Sequence, residues 1–321
     1  MIYNVIGVFF LNMYGKVLFG INNIYTVRPE EGPDVMCRIK GKVLKGCENV
    51  YNPITAGDNV EFENSLITAL LPRRNALTRW NRKRMMPQVI AANLDILFVV
   101  SAAGEPPFRP RFVDKIIANS CSKYKDEYEV VLVMNKCDLG VSDDIAERLE
   151  NYRQIGYRVF LVSAATGEGI EELRSYAEGK FCAFAGQSGV GKSSLLNALN
   201  SEVSRRVGEV SKKYNRGRHV TNYSLFVPDT VNGGGITDTP GIREIFVDGI
   251  EPEELILHFR ELAPCYGKCS YSSCTHTAEP GCAVKEAAEA GKIHPDRFEA
   301  YRRTYSELTE QAAEIYGKTY S

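Results

Sequence analysis

Gly186-Gln187-Ser188-Gly189-Val190-Gly191-Lys192-Ser193 constrains the fold more than any other stretch of the chain. The octapeptide fits G-x-x-x-x-G-K-[ST], follows an apolar run at 181–185 and opens an amphipathic run at 192–199, so it joins a strand to a helix. In that context the glycines let backbone N–H groups curl around phosphate oxygens, and the helix N-terminus adds positive potential. Lys192 would reach the β and γ phosphates, Ser193 would ligate Mg²⁺, and Ser194 continues the loop into the helix. A chance Gly-rich turn would have neither the strand nor the helix.

Such a loop belongs in a parallel sheet, and its surroundings agree. From about Asn93, apolar runs at 96–101, 130–134, 158–162 and 181–185 alternate with amphipathic runs at 111–124, 143–154, 170–177 and 192–199. The first 70 or so residues differ. Candidate strands at 17–24, 35–43, 59–62 and 65–70 are separated by Pro/Gly/Asn/Asp stretches, which predicts a small all-β barrel or sandwich. The last 70 residues read as helical, at 252–262, 284–290 and 296–316. The expected organisation is a barrel over 1–72, a basic linker over 73–92, an α/β nucleotide domain over 93–246 and a helical domain over 247–321.

The base is set by a second motif. Asn135-Lys136-Cys137-Asp138 ends the strand at 130–134 and resembles the N-K-x-D signature of GTPases. Its Asp carboxylate accepts from N1 and the 2-amino group of guanine. Adenine offers no such donor pair, so Asp138 would be left unpaired by ATP. Ser163-Ala164 at the end of the next strand resembles the third guanine element. Asp238-Thr239-Pro240-Gly241, 52 residues after Gly186, resembles D-x-x-G, with Asp238 holding Mg²⁺ through water and the Gly241 N–H meeting the γ-phosphate. In ordinary GTPases the phosphate loop and D-x-x-G precede N-K-x-D. Here Asn135 and Ser163 precede Gly186, so the chain reads as circularly permuted.

Nine cysteines include Cys265, Cys269, Cys274 and Cys282 within 18 residues. An odd count without an export signal predicts a reducing cytoplasm, where such a cluster binds metal rather than forming disulfides. Cys269-x4-Cys274-x-His276-x5-Cys282 offers three thiolates and an imidazole, the set of a closed structural Zn²⁺ site, and Cys265 is a fifth candidate. No apolar run reaches the roughly 20 residues of a membrane-spanning helix. The apolar start at 1–10 lacks a basic residue before Lys16 and reads as a strand, not a leader.

The charge balance, 39 Lys plus Arg against 40 Asp plus Glu, hides an asymmetry. Residues 1–84 carry 12 basic and 7 acidic side chains, residues 85–246 carry 19 and 20, and residues 247–321 carry 8 and 13. Arg73, Arg74, Arg79, Arg82, Lys83 and Arg84 surround Trp80, the only tryptophan. Cations with an aromatic are what a nucleic-acid surface uses, whereas a solvated loop would need no such pairing.

With a barrel, a permuted GTPase order, Gly186-Gln187-Ser188-Gly189-Val190-Gly191-Lys192-Ser193-Ser194 and the Cys/His run, the chain resembles the RsgA family of small-ribosomal-subunit-dependent GTPases over nearly its whole length. The resemblance implies an OB-fold barrel, action late in 30S maturation, binding to the 30S subunit and 16S rRNA, and a monomer in the cytoplasm that turns GTP into GDP. It also places the zinc ligands on Cys269, Cys274, His276 and Cys282. The family's switch I usually reads G-R-H-T-T-T, whereas here Gly217-Arg218-His219 is followed by Val220-Thr221-Asn222, leaving Thr221 as the Mg²⁺-binding candidate.

Ile242 follows Gly241 where many GTPases carry a Gln that orients the attacking water. Slow intrinsic hydrolysis accelerated by the ribosomal subunit is therefore expected, with His219 positioning the water. Nucleotide state is expected to set the orientation of the C-terminal part, because the segment after Gly241 leads straight into it. Two other classes make different predictions: an RNA-binding module with a vestigial nucleotide site would show no guanine selectivity, and a metabolic P-loop kinase would have no use for Asn135 and Asp138.

Overall fold

Alternating burial closes the N-terminal part into a barrel. The computed structural model describes residues 13–21, 23–39, 53–81, 86–120, 128–199, 225–228, 234–238 and 250–316. In it β1 (Met13–Ile21), β2 (Ile24–Pro29), β3 (Val35–Ile39), β4 (Asn59–Glu63) and β5 (Leu66–Leu70) pair in the closed order β1-β2-β3-β5-β4. Only β3 and β5 run parallel, which is the arrangement of an OB-fold. Along β2 and β4 every second residue points inward, and Val27, Cys37, Val60, Phe62 and Ile67 fill the interior.

The run at 17–24, expected as one strand, is the middle of a hairpin. Ile21 pairs with Ile24, and Asn23 adopts a left-handed φ of 61°, which asparagine tolerates. A bulge after Val17 turns Leu18 out of the barrel to pack with Ala56, Phe19 and Phe181. The apolar run at 1–10 lies outside the described residues, as do 40–43 of the expected third strand.

The stretch expected as a linker is folded. β6 (Ala76–Asn81) and β7 (Met86–Ala92) form an antiparallel pair whose Leu77, Ile90 and Ala91 join the core of the next domain. Arg73 does not face solvent: its guanidinium donates twice to the fully buried carboxylate of Asp58 (2.7 and 2.8 Å) and once to the Pro53 carbonyl. Arg74 pairs with Asp95 at 2.7 Å and donates to the carbonyls of Asn93 and Leu94. Both arginines, expected to contact RNA, are also paired within the protein at the joint between barrel and central sheet, Arg73 buried and Arg74 with its side chain 44% exposed. Their role depends on partners 15 and 21 residues away in the chain, which no local charge pattern reveals. Replacing Arg73 by Met would strand the Asp58 carboxylate, and the expected cost is about 3–5 kcal/mol, readable as a lower urea midpoint. The same junction buries Lys16, whose Nζ lies 3.6 Å from the centre of the Phe181 ring; desolvation and then the Arg74 charge pull its pKa down to about 8.

The central sheet has the order β10-β9-β8-β11-β13-β12, built from β8 (Ile96–Ala102), β9 (Glu129–Asn135), β10 (Arg158–Leu161), β11 (Phe181–Gly186), β12 (Leu225–Pro228) and β13 (Gly235–Asp238). All neighbours are parallel except β12 and β13. β8, buried at every position, is the near-continuous apolar run that a strand covered on both faces requires. Helices α1 (Pro110–Ser120) and α2 (Asp143–Gln154) cover one face, and α3 (Ile170–Ala177) and α4 (Lys192–Leu199) the other. Chain order reverses between β8 and β11, which opens a crevice at the carboxyl ends of these strands.

After Ile250 the chain forms two 3₁₀ turns, Pro252–His258 and Ala263–Cys265, then α5 (Ala283–Glu289) and α6 (Pro295–Tyr316). The helix expected at 252–262 is interrupted because Phe259 turns to an extended conformation. Leu255, Ile256, Phe259, Leu262 and Tyr301 build one core that also takes in Ala118 of α1. Among the described residues no helix is long and apolar enough to cross a membrane.

Candidate nucleotide site and metal centre

The loop after β11 has the shape that its glycines permit. Gly189 and Gly191 take φ of 87° and 95°. A Cβ on Gly191 would lie 2.3 Å from Asn135 Nδ2, and one on Gly186 would lie 2.3 Å from the Val100 carbonyl oxygen. A side chain at Gly186 would push apart β8 and β11, and one at Gly191 would displace the Asn135 amide. Val190 is buried beneath the loop, and the Lys192 ammonium folds back to donate to the carbonyls of Gly186 and Gln187, both at 2.8 Å. That places a cation at the loop's centre, with Ser193 and Ser194 beside it in the first turn of α4.

The structure brings the N-K-x-D segment onto this loop. Asn135, buried at the end of β9, donates from Nδ2 to the Val190 carbonyl (2.9 Å) and accepts at Oδ1 from the Ala164 N–H (3.0 Å). One side chain thus ties together three segments that the sequence analysis assigned to one nucleotide. Lys136, in a left-handed conformation, donates from Nζ to the Gly189 carbonyl (2.8 Å) and to the carbonyl of Glu105. The Ser163 hydroxyl donates to Asp138 Oδ1 and accepts from the Thr166 N–H at 3.1 Å, so one carboxylate oxygen is held from behind.

Asp238 ends β13 and pairs with Phe184 in the sheet register, two residues before Gly186. Its backbone is therefore next to the phosphate loop. Thr221, His219 and Gly241 lie outside the described residues, as do Arg82, Lys83 and Arg84. Of the other cations near Trp80, Arg79 bonds the Gln88 side chain within the β6–β7 pair, and burial lowers its pKa. The Glu105 carbonyl and Pro106, whose Cδ lies 3.4 Å from where a Cβ on Gly189 would sit, were not singled out from the sequence. The only local signal was Gly104-Glu105-Pro106-Pro107, a turn ending the strongest apolar strand.

Cys269, Cys274, His276 and Cys282 converge, with all four potential ligand atoms within 4.8 Å of one another. His276 turns Nδ1 toward Cys269 Sγ (3.2 Å) and Cys282 Sγ (3.6 Å), and it reaches that position through a left-handed φ of 61°. These separations and three soft sulfurs with one imidazole fit a tetrahedral metal site. Cys265 packs nearby but is not part of the group. Behind the ligands, Glu279 accepts from the N–H groups of Thr275, Thr277 and Ala278. Burial opposes its ionisation, but the Thr275 hydroxyl and these N–H donors outweigh it and hold the carboxyl at about 2. The Tyr301 hydroxyl donates to the Thr275 carbonyl at 2.9 Å and ties the ligand loop to α6.

A phosphate loop on a central strand, braced by an N-K-x-D segment that comes before it in the chain, defines a circularly permuted P-loop GTPase, an enzyme that hydrolyses GTP. The RsgA GTPase family profile matches residues 70–248. The small ribosomal subunit biogenesis GTPase RsgA of Borreliella burgdorferi is 37% identical over 303 residues, covering 91% of this chain and 95% of the relative. Its counterpart from Moorella thermoacetica is 39% identical, covering 92% and 97%. The crystal structure of YjeQ from Thermotoga maritima superposes with a TM-score of 0.70 at 34% identity, covering 93% of this chain and 99% of that one. That of YloQ, a circularly permuted GTPase, has the same fold, with a TM-score of 0.65 at 24% identity over 94% and 96%. The chain belongs to the RsgA GTPase family.

Proposed function

We propose that this protein is a GTPase of small ribosomal subunit biogenesis whose turnover is stimulated by the 30S subunit, with 16S rRNA as part of its binding surface. The observation that carries the nucleotide half is the Asn135 side chain bridging Val190 and Ala164, which fixes the guanine-reading segments against the phosphate loop. The ribosomal half is supported by relatives of this name that match nine-tenths of the chain.

In this reading Asp138 accepts from guanine, the Ala164 N–H meets the base oxygen, and N–H groups of 187–194 bind the phosphates. Ser193, Thr221 and Asp238 would hold Mg²⁺, which would supply positive charge against the phosphates. Lys192 shares that charge, the Gly241 N–H meets the γ-phosphate and His219 positions the attacking water. Zn²⁺ on Cys269, Cys274, His276 and Cys282 is structural, since four protein ligands leave no open position. Arg79, Trp80, Arg82, Lys83 and Arg84 are the RNA-facing residues of the β6–β7 region, and the protein acts as a cytoplasmic monomer.

The test is GTP turnover with and without purified 30S subunits. Stimulation of at least about tenfold, or roughly 1.4 kcal/mol off the barrier, is expected. An unchanged rate would leave a GTPase without the ribosomal role. His219→Ala in the same assay should lose the stimulated rate; full stimulation would remove His219 from the mechanism.

A further inference from the structure

Six buried or half-buried polar groups from four segments meet where the C-terminal module packs on the GTPase domain. Asp114 of α1 is fully buried, and its Oδ1 accepts from the Tyr152 hydroxyl of α2 and from Arg297 of α6 at 2.8 Å. Its Oδ2 accepts from Arg148 of α2 at 2.9 Å. Arg297, also fully buried, donates twice to Glu261, and Arg148 lies 3.2 Å from His294 Nδ1. Both carboxylates and both guanidiniums have partners, so the cluster is matched in charge and held in one geometry. Lys115 of α1 adds an ion pair to Glu307 of α6, and His258 Nδ1 lies 3.0 Å from the Ala118 carbonyl.

The other end of α1 reaches the nucleotide site. The Tyr152 hydroxyl also touches the carbonyl of Pro110, the first residue of α1. Immediately before Pro110, the loop 103–109 supplies the Glu105 carbonyl to Lys136 Nζ and places Pro106 Cδ 3.4 Å from where a Cβ on Gly189 would sit. Its Ala103 N–H donates to the Asn135 carbonyl at 2.9 Å, and Leu139 packs over Gly104. These contacts fall on the phosphate loop, on the N-K-x-D segment, or on Leu139 directly after it.

We propose that the zinc-bearing module holds the loop that braces the nucleotide site, with Asp114 as the positioning residue, so that docking of the module slows release of guanine nucleotide. The connection through 239–249 is then not the only physical route between the two. A partner pulling on α6 would act on Asp114, α1 and the Pro106 loop, and so on the loop glycine and the Lys136 stem that bracket the nucleotide. The coupling rests on rigid elements joined by buried contacts, and it works in the absence of the ribosome.

The test is the dissociation rate of a fluorescent GDP analogue from the full-length, zinc-loaded protein. Asp114→Asn, which keeps the shape but removes the charge, is expected to speed release about fivefold with zinc content unchanged. Pro106→Gly should do the same, and the double variant should release no faster than the quicker single one. Arg73→Met, which strands Asp58 in the barrel and touches none of these contacts, should leave the rate as it is. Unchanged release in Asp114→Asn, or in Pro106→Gly should Asp114→Asn not fold, would overturn the proposal. Equal acceleration by Arg73→Met would also overturn it, by showing general loosening. Because no ribosomal subunit is present, these outcomes are independent of the ribosomal reading.

Discussion

Asp138→Asn is expected to lower affinity for GTP by about 10⁴, the discrimination reached by sites built around a specific hydrogen-bonding pattern. In the proposed role the carboxylate accepts two hydrogens from guanine, whereas an amide presents an oxygen and an NH₂ and can accept only at one side. The Ser163 hydroxyl already occupies Oδ1 from behind, so the side chain cannot rotate to hide the mismatch. The substitution should also transfer preference to xanthosine triphosphate, whose 2-oxo group accepts where guanine donates. Nucleotide competition by titration calorimetry reads both effects. Retained GTP affinity with no gain for the xanthine nucleotide would move base recognition away from Asp138.

The second large effect concerns the metal. Binding at a site with three thiolates and one imidazole contributes about 10–16 kcal/mol of apparent free energy, more than the stability of a typical domain. The C-terminal core is small, and Cys282 is itself one of its buried members. Removing zinc with a strong chelator, or replacing Cys282 by Ser, should therefore melt residues 250–316 as a unit. Stoichiometric zinc release measured by a colorimetric chelator, followed by proteolysis confined to that region, is the expected result. A zinc-free protein with an unchanged melting curve would reduce the four residues to a chance cluster. Loss of the module would also leave Asp114 without Arg297 and Arg148 without His294, so faster GDP release should accompany it.

The two sites differ in how far they could be read from the chain. The phosphate loop, Asn135 to Asp138 and Ser163 to Ala164 were legible because each is a short segment capping its own strand, where residue type dictates what backbone and side chain present. The cysteine and histidine spacing was legible for the same reason, although only the structure separated Cys265 from the four that converge. The barrel was legible as strands and turns, but its closed order β1-β2-β3-β5-β4 was not, since pairing β3 with β5 is a non-local choice. The single strand expected at 17–24 failed because the Asn22-Asn23 turn signal was outweighed by the apolar residues on both sides.

What the amino-acid sequence determined by itself is the chemistry: a P-loop that binds guanine nucleotide, in permuted order, and a thiolate-rich metal site. What only the tertiary structure decided is how charges outside those motifs are used. Arg73 and Arg74 read as an RNA-facing block, and in the fold both are paired with acids at the joint between barrel and sheet. Asp114, Arg148, Glu261 and Arg297 carried no sequence signal, yet they form the buried junction between the two larger domains. The reason is physical: a motif recognises its ligand through neighbours a few residues apart, whereas a buried charge is tolerated only beside a partner that the fold brings from elsewhere.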